Sequence, residues 1–126
     1  KGFETGVIDM MTDGQEERDF LYAEDCCEAL ESVMENFNDF TPEDNLHITS
    51  FYYTKIKDIA SIILGQFNLM GKYDVKLQPS DQKDDVQLDK RNRADTYITK
   101  WWVPKTTIQS GIEKVFNYMR KEYESI

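Results

Sequence analysis

Apolar positions in this chain recur at helix spacing in three stretches, separated by shorter segments with other patterns. From Ala23 they fall at Cys26, Cys27, Leu30, Val33, Met34 and Phe37, which are helix spacings. Glu24 and Asp25 suit the positive end of that helix's dipole. A second helix is predicted from about Thr54, whose hydroxyl is placed to cap it. It carries Ile56, Ile59, Ala60, Ile63 and Phe67 on one face, and Gly71 sits in the turn that follows. The third is the best signed. Thr106 and Gln109 form a capping box, and Pro104 keeps the chain extended just before it. Its apolar face is Ile108, Ile112, Val115, Phe116, Met119 and Tyr123.

Between the helices the pattern shortens. "GVIDMM" (Gly6–Met11) reads as a strand ending in the turn Asp13-Gly14. "FNDFTPEDN" is a loop, and "LHIT" (Leu46–Thr49) is expected to be a short strand. Tyr73, Val75 and Leu77 alternate with polar residues, the mark of a half-buried strand. "PSDQKDD" is a charged loop, after which "VQL" (Val86–Leu88) offers a brief pairing segment. The expected fold class is α+β: three main helices with short strands between them and no repeats.

Composition narrows the function. The chain has 126 residues, 40% hydrophobic and 13% aromatic, enough for one folded domain with a modest core. Its net charge of −9 repels a phosphate backbone, so no nucleic-acid partner is expected. The longest apolar run, "IASIILG", is far short of the roughly 20 residues a membrane span needs, so no membrane partner is expected. "KGFETG" lacks the apolar core of a signal peptide, and the expected location is cytoplasmic. Cys26 and Cys27 are adjacent and point to different sides of a helix, which favours reduced thiols over a disulfide. With His47 they do not match the ligand spacing of zinc knuckles, and no metal site is expected.

Catalytic motifs are weak. Tyr53 and Lys57 match Tyr-x-x-x-Lys, the proton-handling pair of short-chain dehydrogenases, which sets an ammonium beside a phenol when both lie on a helix. Such enzymes also need a glycine-rich strand-to-helix turn for their dinucleotide. Gly2, Gly6, Gly14, Gly65, Gly71 and Gly111 form no such cluster. Tyr53 is better read as a packing residue. With one histidine and no nucleophile elbow, no triad can be assembled. Carboxylate pairs such as Asp84-Asp85 read as solvated loop charges.

"DGQEERDFLYAEDCCEAL" (Asp13–Leu30) changes this picture. It resembles the segment G-x-x-x-R-D-F/Y-x-Y/H-x-x-D of the extended short-chain dehydrogenase/reductases, the NAD-dependent nucleotide-sugar epimerases and dehydratases. Gly14, Arg18, Asp19, Phe20, Tyr22 and Asp25 stand at its positions. "NLHITS", "YTKIKDIASII" and "KWWVPKTTIQSGIEKVFNYM" follow in the family's order, the last with Trp102, Pro104, Lys105 and Gly111 matching. The resemblance covers nearly all of residues 1–126. It implies a C-terminal substrate-binding lobe, normally packed on a Rossmann domain that lies upstream of Lys1 with the cofactor site and the catalytic tyrosine-lysine pair.

The resemblance implies that Arg18 reaches the diphosphate of a nucleotide sugar. A guanidinium is a permanently charged planar fork of donors and suits phosphate oxygens. The alternative is a surface salt bridge with Glu16, Glu17 or Asp19. The family's second arginine has no clean counterpart here, and Arg91 is the nearest candidate, with Lys83 and Arg93 behind it. Trp102 corresponds to a packing residue, whereas Trp101 stands where the family has glycine. Taken together, the expected function is to position a nucleotide sugar in an NAD-dependent epimerase or dehydratase. NAD or NADP would be held by the upstream half and none by this chain, which alone should be an inactive fragment prone to self-association. The rival reading is a non-catalytic acidic protein-interaction domain.

Overall fold

The computed structural model describes residues 1–41, 46–84 and 97–126. In chain order it contains α1 (Gly2–Thr5), β1 (Val7–Asp9), β2 (Glu17–Asp19), α2 (Ala23–Glu35), β3 (Tyr53–Lys55), α3 (Ile56–Met70), β4 (Lys76–Gln78) and α4 (Ile108–Glu124). Two short 3-10 turns lie at Phe37–Asp39 and Tyr97–Lys100. The three main helices are therefore α2, α3 and α4, and the α+β class holds. Leu46–Thr49 forms no strand, while β2 and β3, which pair with each other, were not anticipated. Val86–Leu88 lies outside the described residues.

The chain divides into two units, each assembled from separated segments. The first draws on described residues of Lys1–Arg18, Thr54–Leu88 and Gln109–Ile126, the second on those of Asp19–Tyr53 and Asp89–Ile108.

In the first unit β1 and β4 pair in parallel, with Val7 opposite Lys76, Ile8 opposite Leu77 and Asp9 opposite Gln78. Parallel neighbours need a crossover, and α3 supplies a helix within it. The core is Phe67 of α3, Val75 beside β4 and Phe116 of α4, with Phe3, Ile8 and Tyr73 packed around them. Most of its ring pairs meet edge to face, while Phe3 and Phe116 are tilted at 38°. The Phe67 and Phe116 centroids are 4.8 Å apart at 84°, and Phe3 sits 4.6 Å from Phe67. Such pairs add to the ordinary gain of burying aromatic area. Gly71 ends α3 in the left-handed conformation at φ 61°, which glycine adopts without strain.

The second unit has a smaller apolar core of Ala29, Ile98 and Trp102, against which Leu21, Val33, Ile48 and Phe51 pack. A buried carboxylate, Asp25, and a partly buried one, Asp19, complete it. Asp25, in the first turn of α2, is 2% exposed and accepts from the Lys105 N–H (3.2 Å), the Thr106 N–H (2.8 Å) and the Thr106 hydroxyl (3.1 Å). The Thr106 hydroxyl is thus engaged with Asp25, and α4 begins only at Ile108, so the expected capping box does not form. Asp19 accepts from the Ser50 N–H at 3.0 Å and from the Thr49 and Ser50 hydroxyls. Phe51, which follows them, is held at φ 64°, a conformation that side chains larger than asparagine rarely adopt.

Candidate functional site

The segment after β1 runs along the segment after β4. The Met10 N–H donates to the Gln78 carbonyl at 3.0 Å, and the Asp13 N–H donates to the Gln82 carbonyl at 2.7 Å. The predicted turn then reverses the chain. Gly14 has φ 73°, its N–H meets the Thr12 hydroxyl at 3.2 Å, and the Gln15 N–H meets Asp13 Oδ1 at 3.0 Å. A β-carbon at Gly14 would lie 2.8 Å from the Lys57 backbone nitrogen, so the turn is closed to larger residues on two counts.

That close approach has a purpose. The Gly14 carbonyl accepts from the Lys57 N–H at 3.0 Å, and the Glu16 carbonyl accepts from the Ile56 N–H at 3.1 Å. These satisfy the first two N–H groups of α3, which a helix leaves without internal partners. Residues 14–16 therefore cap α3 through their backbone, and the expected Thr54 cap is not made: Thr54 lies in β3, and Lys55 is the N-cap residue, without a side-chain bond.

Arg18 emerges from this framework in the middle of β2. Its Nη1 donates to the Glu17 carbonyl at 2.9 Å, and its Nη2 is paired with the Asp84 carboxylate. The two side chains are 29% and 22% exposed. The counter-ion is therefore Asp84, sixty-six positions away, and none of the acidic neighbours considered from sequence. Asp84 is correspondingly not a freely solvated loop charge, contrary to the expectation from sequence. A guanidinium carries five N–H donors in a flat fork, and these two partners use only part of it. What the arrangement can do is hold an anion at a half-buried, backbone-fixed cation.

Arg91 and Arg93 lie outside the described residues. Tyr53 falls in β3 and Lys57 in the first turn of α3, so the two do not share a helix in the way the dehydrogenase pair requires. His47 and Cys27 are exposed, and no metal-ligating cluster forms among the described residues. No helix of the described residues is long and apolar enough to cross a membrane. Trp102 is 5% exposed in the second unit's core, a packing residue as the resemblance implies. Trp101 has a separate place: its ring lies 4.5 Å from Phe40 and 5.5 Å from Tyr97, with Lys100 Nζ 5.8 Å from its centroid.

The architecture is shared with solved enzymes. TunA, an NAD-dependent NDP-hexosamine 5,6-dehydratase involved in tunicamycin biosynthesis, superposes with a TM-score of 0.70 over 95% of this chain and 37% of its own, at 16% identity. A UDP-galactose 4-epimerase gives 0.62 over 92% of this chain and 36% of its own, at 18% identity. RMD from Pseudomonas aeruginosa, solved with NADPH, gives 0.61 over 99% and 37%, at 14% identity. In sequence, a GDP-L-fucose synthase of Sinorhizobium fredii is 26% identical over 111 residues. The fold is thus shared with about a third of each of these solved proteins. The chain spans 33% of the length of that curated relative and 88% of it is matched, so it corresponds to one part of such proteins. No family model matches the sequence.

Proposed function

We propose that this chain is the nucleotide-sugar-binding part of an NAD(P)-dependent nucleotide-sugar epimerase or dehydratase, and that Arg18 grips the diphosphate of its substrate, with Arg91 as a second candidate. The reading is carried by one observation: a fold shared over nearly the whole chain with such enzymes, in which Arg18 is a half-buried guanidinium held by the Glu17 carbonyl and the Asp84 carboxylate.

The nicotinamide cofactor supplies hydride removal and return when bound. The residues here do not fit a cradle for it. The first two N–H groups of α3, which a dinucleotide-binding turn would present to a pyrophosphate, are taken by the Gly14 and Glu16 carbonyls. The dinucleotide and the catalytic pair are assigned to protein outside these 126 residues. The role left to this chain is positioning. Anchoring the diphosphate at Arg18 fixes the sugar at one end, which lowers the entropy cost of reaching a reactive pose. Leu30, Met34 and Phe37 are exposed on and beside α2, which supports a surface that the remaining protein covers and that promotes self-association when uncovered.

Isothermal titration of the full-length protein with UDP-, GDP- and dTDP-sugars tests the site. Arg18→Ala should weaken binding of the true substrate by about ten- to a hundredfold, from loss of a charge-assisted contact of about 1.5–3 kcal/mol. Arg18→Lys should recover only part, since an ammonium keeps the charge without the fork. Unchanged affinity in Arg18→Ala would end the phosphate reading and favour the acidic interaction domain.

A further inference from the structure

We propose that Asp84 is a built-in occupant of the Arg18 anion site, which an incoming diphosphate must displace; the inference rests on the function proposed above. Three features support it. The Asp84 carboxylate is paired with Arg18 Nη2, one of the two fork nitrogens that a phosphate would address. It is brought there by backbone, because the Met10–Gln78 and Asp13–Gln82 bonds lay the segment after β4 along the segment that leads to Arg18. Finally, both partners keep 29% and 22% of their side-chain surface open to solvent, so exchange needs no unfolding of a core.

The consequence is selectivity by charge. A carboxylate already neutralises the guanidinium, so a singly charged anion that replaces it gains little. A diphosphate brings more than one charge and can bridge several donors, so the exchange favours it. Binding is weakened by the fraction of protein in which Asp84 holds the fork, as for any ligand that needs a minor state.

Titration of the full-length protein with UDP and GDP, for wild type, Arg18→Ala, Asp84→Asn and the double variant, tests this. Asp84→Asn keeps shape and removes the charge. It should bind the preferred nucleotide about two- to fivefold more tightly, the value of an exposed or half-buried ion pair converted to affinity. The gain should vanish in the double variant, since without Arg18 there is no fork to release. Asp84→Ser provides a second uncharged side chain should Asp84→Asn fail to fold. Weaker binding in Asp84→Asn would show that the carboxylate aligns Arg18 for its ligand, and unchanged binding would show a pair with no bearing on the site. Either result overturns displacement while leaving the phosphate role of Arg18 intact, provided Arg18→Ala still loses affinity. If Arg18→Ala binds like wild type, the underlying function falls and the displacement idea with it.

Discussion

The first unit buries Phe67, Val75 and Phe116 with further rings packed on them; the second buries Ala29, Ile98 and Trp102 and adds the carboxylate of Asp25. One holds its segments by aromatic area, the other by a small apolar centre plus polar bonds to backbone. The two differ in what a lost side chain should cost. Area lost from an aromatic core leaves a cavity. An acceptor lost from a polar latch leaves buried donors with nothing to replace water.

The largest effect is expected at Phe67, which is 2% exposed and meets Phe3, Tyr73 and Phe116. Phe67→Ala should destabilise by about 3–5 kcal/mol, seen as a lower urea midpoint with little change in slope. A loss under about 1 kcal/mol would mean that the neighbouring rings close over the gap and that this core is not tightly packed.

Asp25→Ala comes next. It strands the Lys105 and Thr106 N–H groups and the Thr106 hydroxyl, and should cost about 1–3 kcal/mol. Its signature is local. Amide exchange at Lys105 and Thr106 should accelerate more than that of α3, and protection unchanged at those two amides would show that other acceptors take over. Lys105 also pairs with Glu28 at 2.8 Å, and the hydrogen bond it donates to that carboxylate raises the Lys105 pKa. That surface pair should not rescue the variant, because it leaves the amides unsatisfied.

The same contrast governs what could be read from sequence. The α3 face was legible: of its expected residues Ala60 and Phe67 are buried and Ile63 packs against the core. In α4 the spacing found Phe116, yet Val115 and Met119 are exposed. Of the α2 stripe only part faces inward: Val33 packs against the second unit's core. Leu30, Met34 and Phe37 are exposed, and the buried residues are Ala29 and Asp25. Periodicity shows which residues share a side, but only the partners decide which side faces inward. Asp25 is tolerable inside because donors eighty positions away meet it, and nothing local in the sequence announces them. The candidate site divides the same way. Arg18 and the Gly14 turn were visible from motif and turn chemistry, whereas Asp84 was not, because its pairing depends on β4 running beside the chain that follows β1.

The smallest effect separates a buried carboxylate from an exposed one. Glu124, at the end of α4, accepts from Lys72 Nζ at 2.7 Å and from the Tyr73 hydroxyl at 3.1 Å. The bond from Lys72 holds the Glu124 carboxyl below its usual 4.5, and the bond to Glu124 raises Lys72 above its usual 10.5. A carboxyl with a lowered value stabilises the fold above its unfolded pKa, and loses that contribution as pH falls through the lowered value. A lysine with a raised value contributes below its unfolded pKa and loses that contribution as pH rises through the raised one. The melting-temperature difference between wild type and Glu124→Gln should therefore be flat from above 4.5 to below 10.5, shrinking on the acid side below 4.5 and on the alkaline side above 10.5. Because Lys72 is 60% exposed, the difference should also be small and should fade in about 1 M salt, where charges are screened within a few ångströms. The Asp25 latch, buried and bonded to backbone, should keep most of its effect at that salt. A Glu124→Gln difference that survives both high salt and acid would show that the side chain acts through packing instead of charge, and would erase this distinction between the two carboxylates.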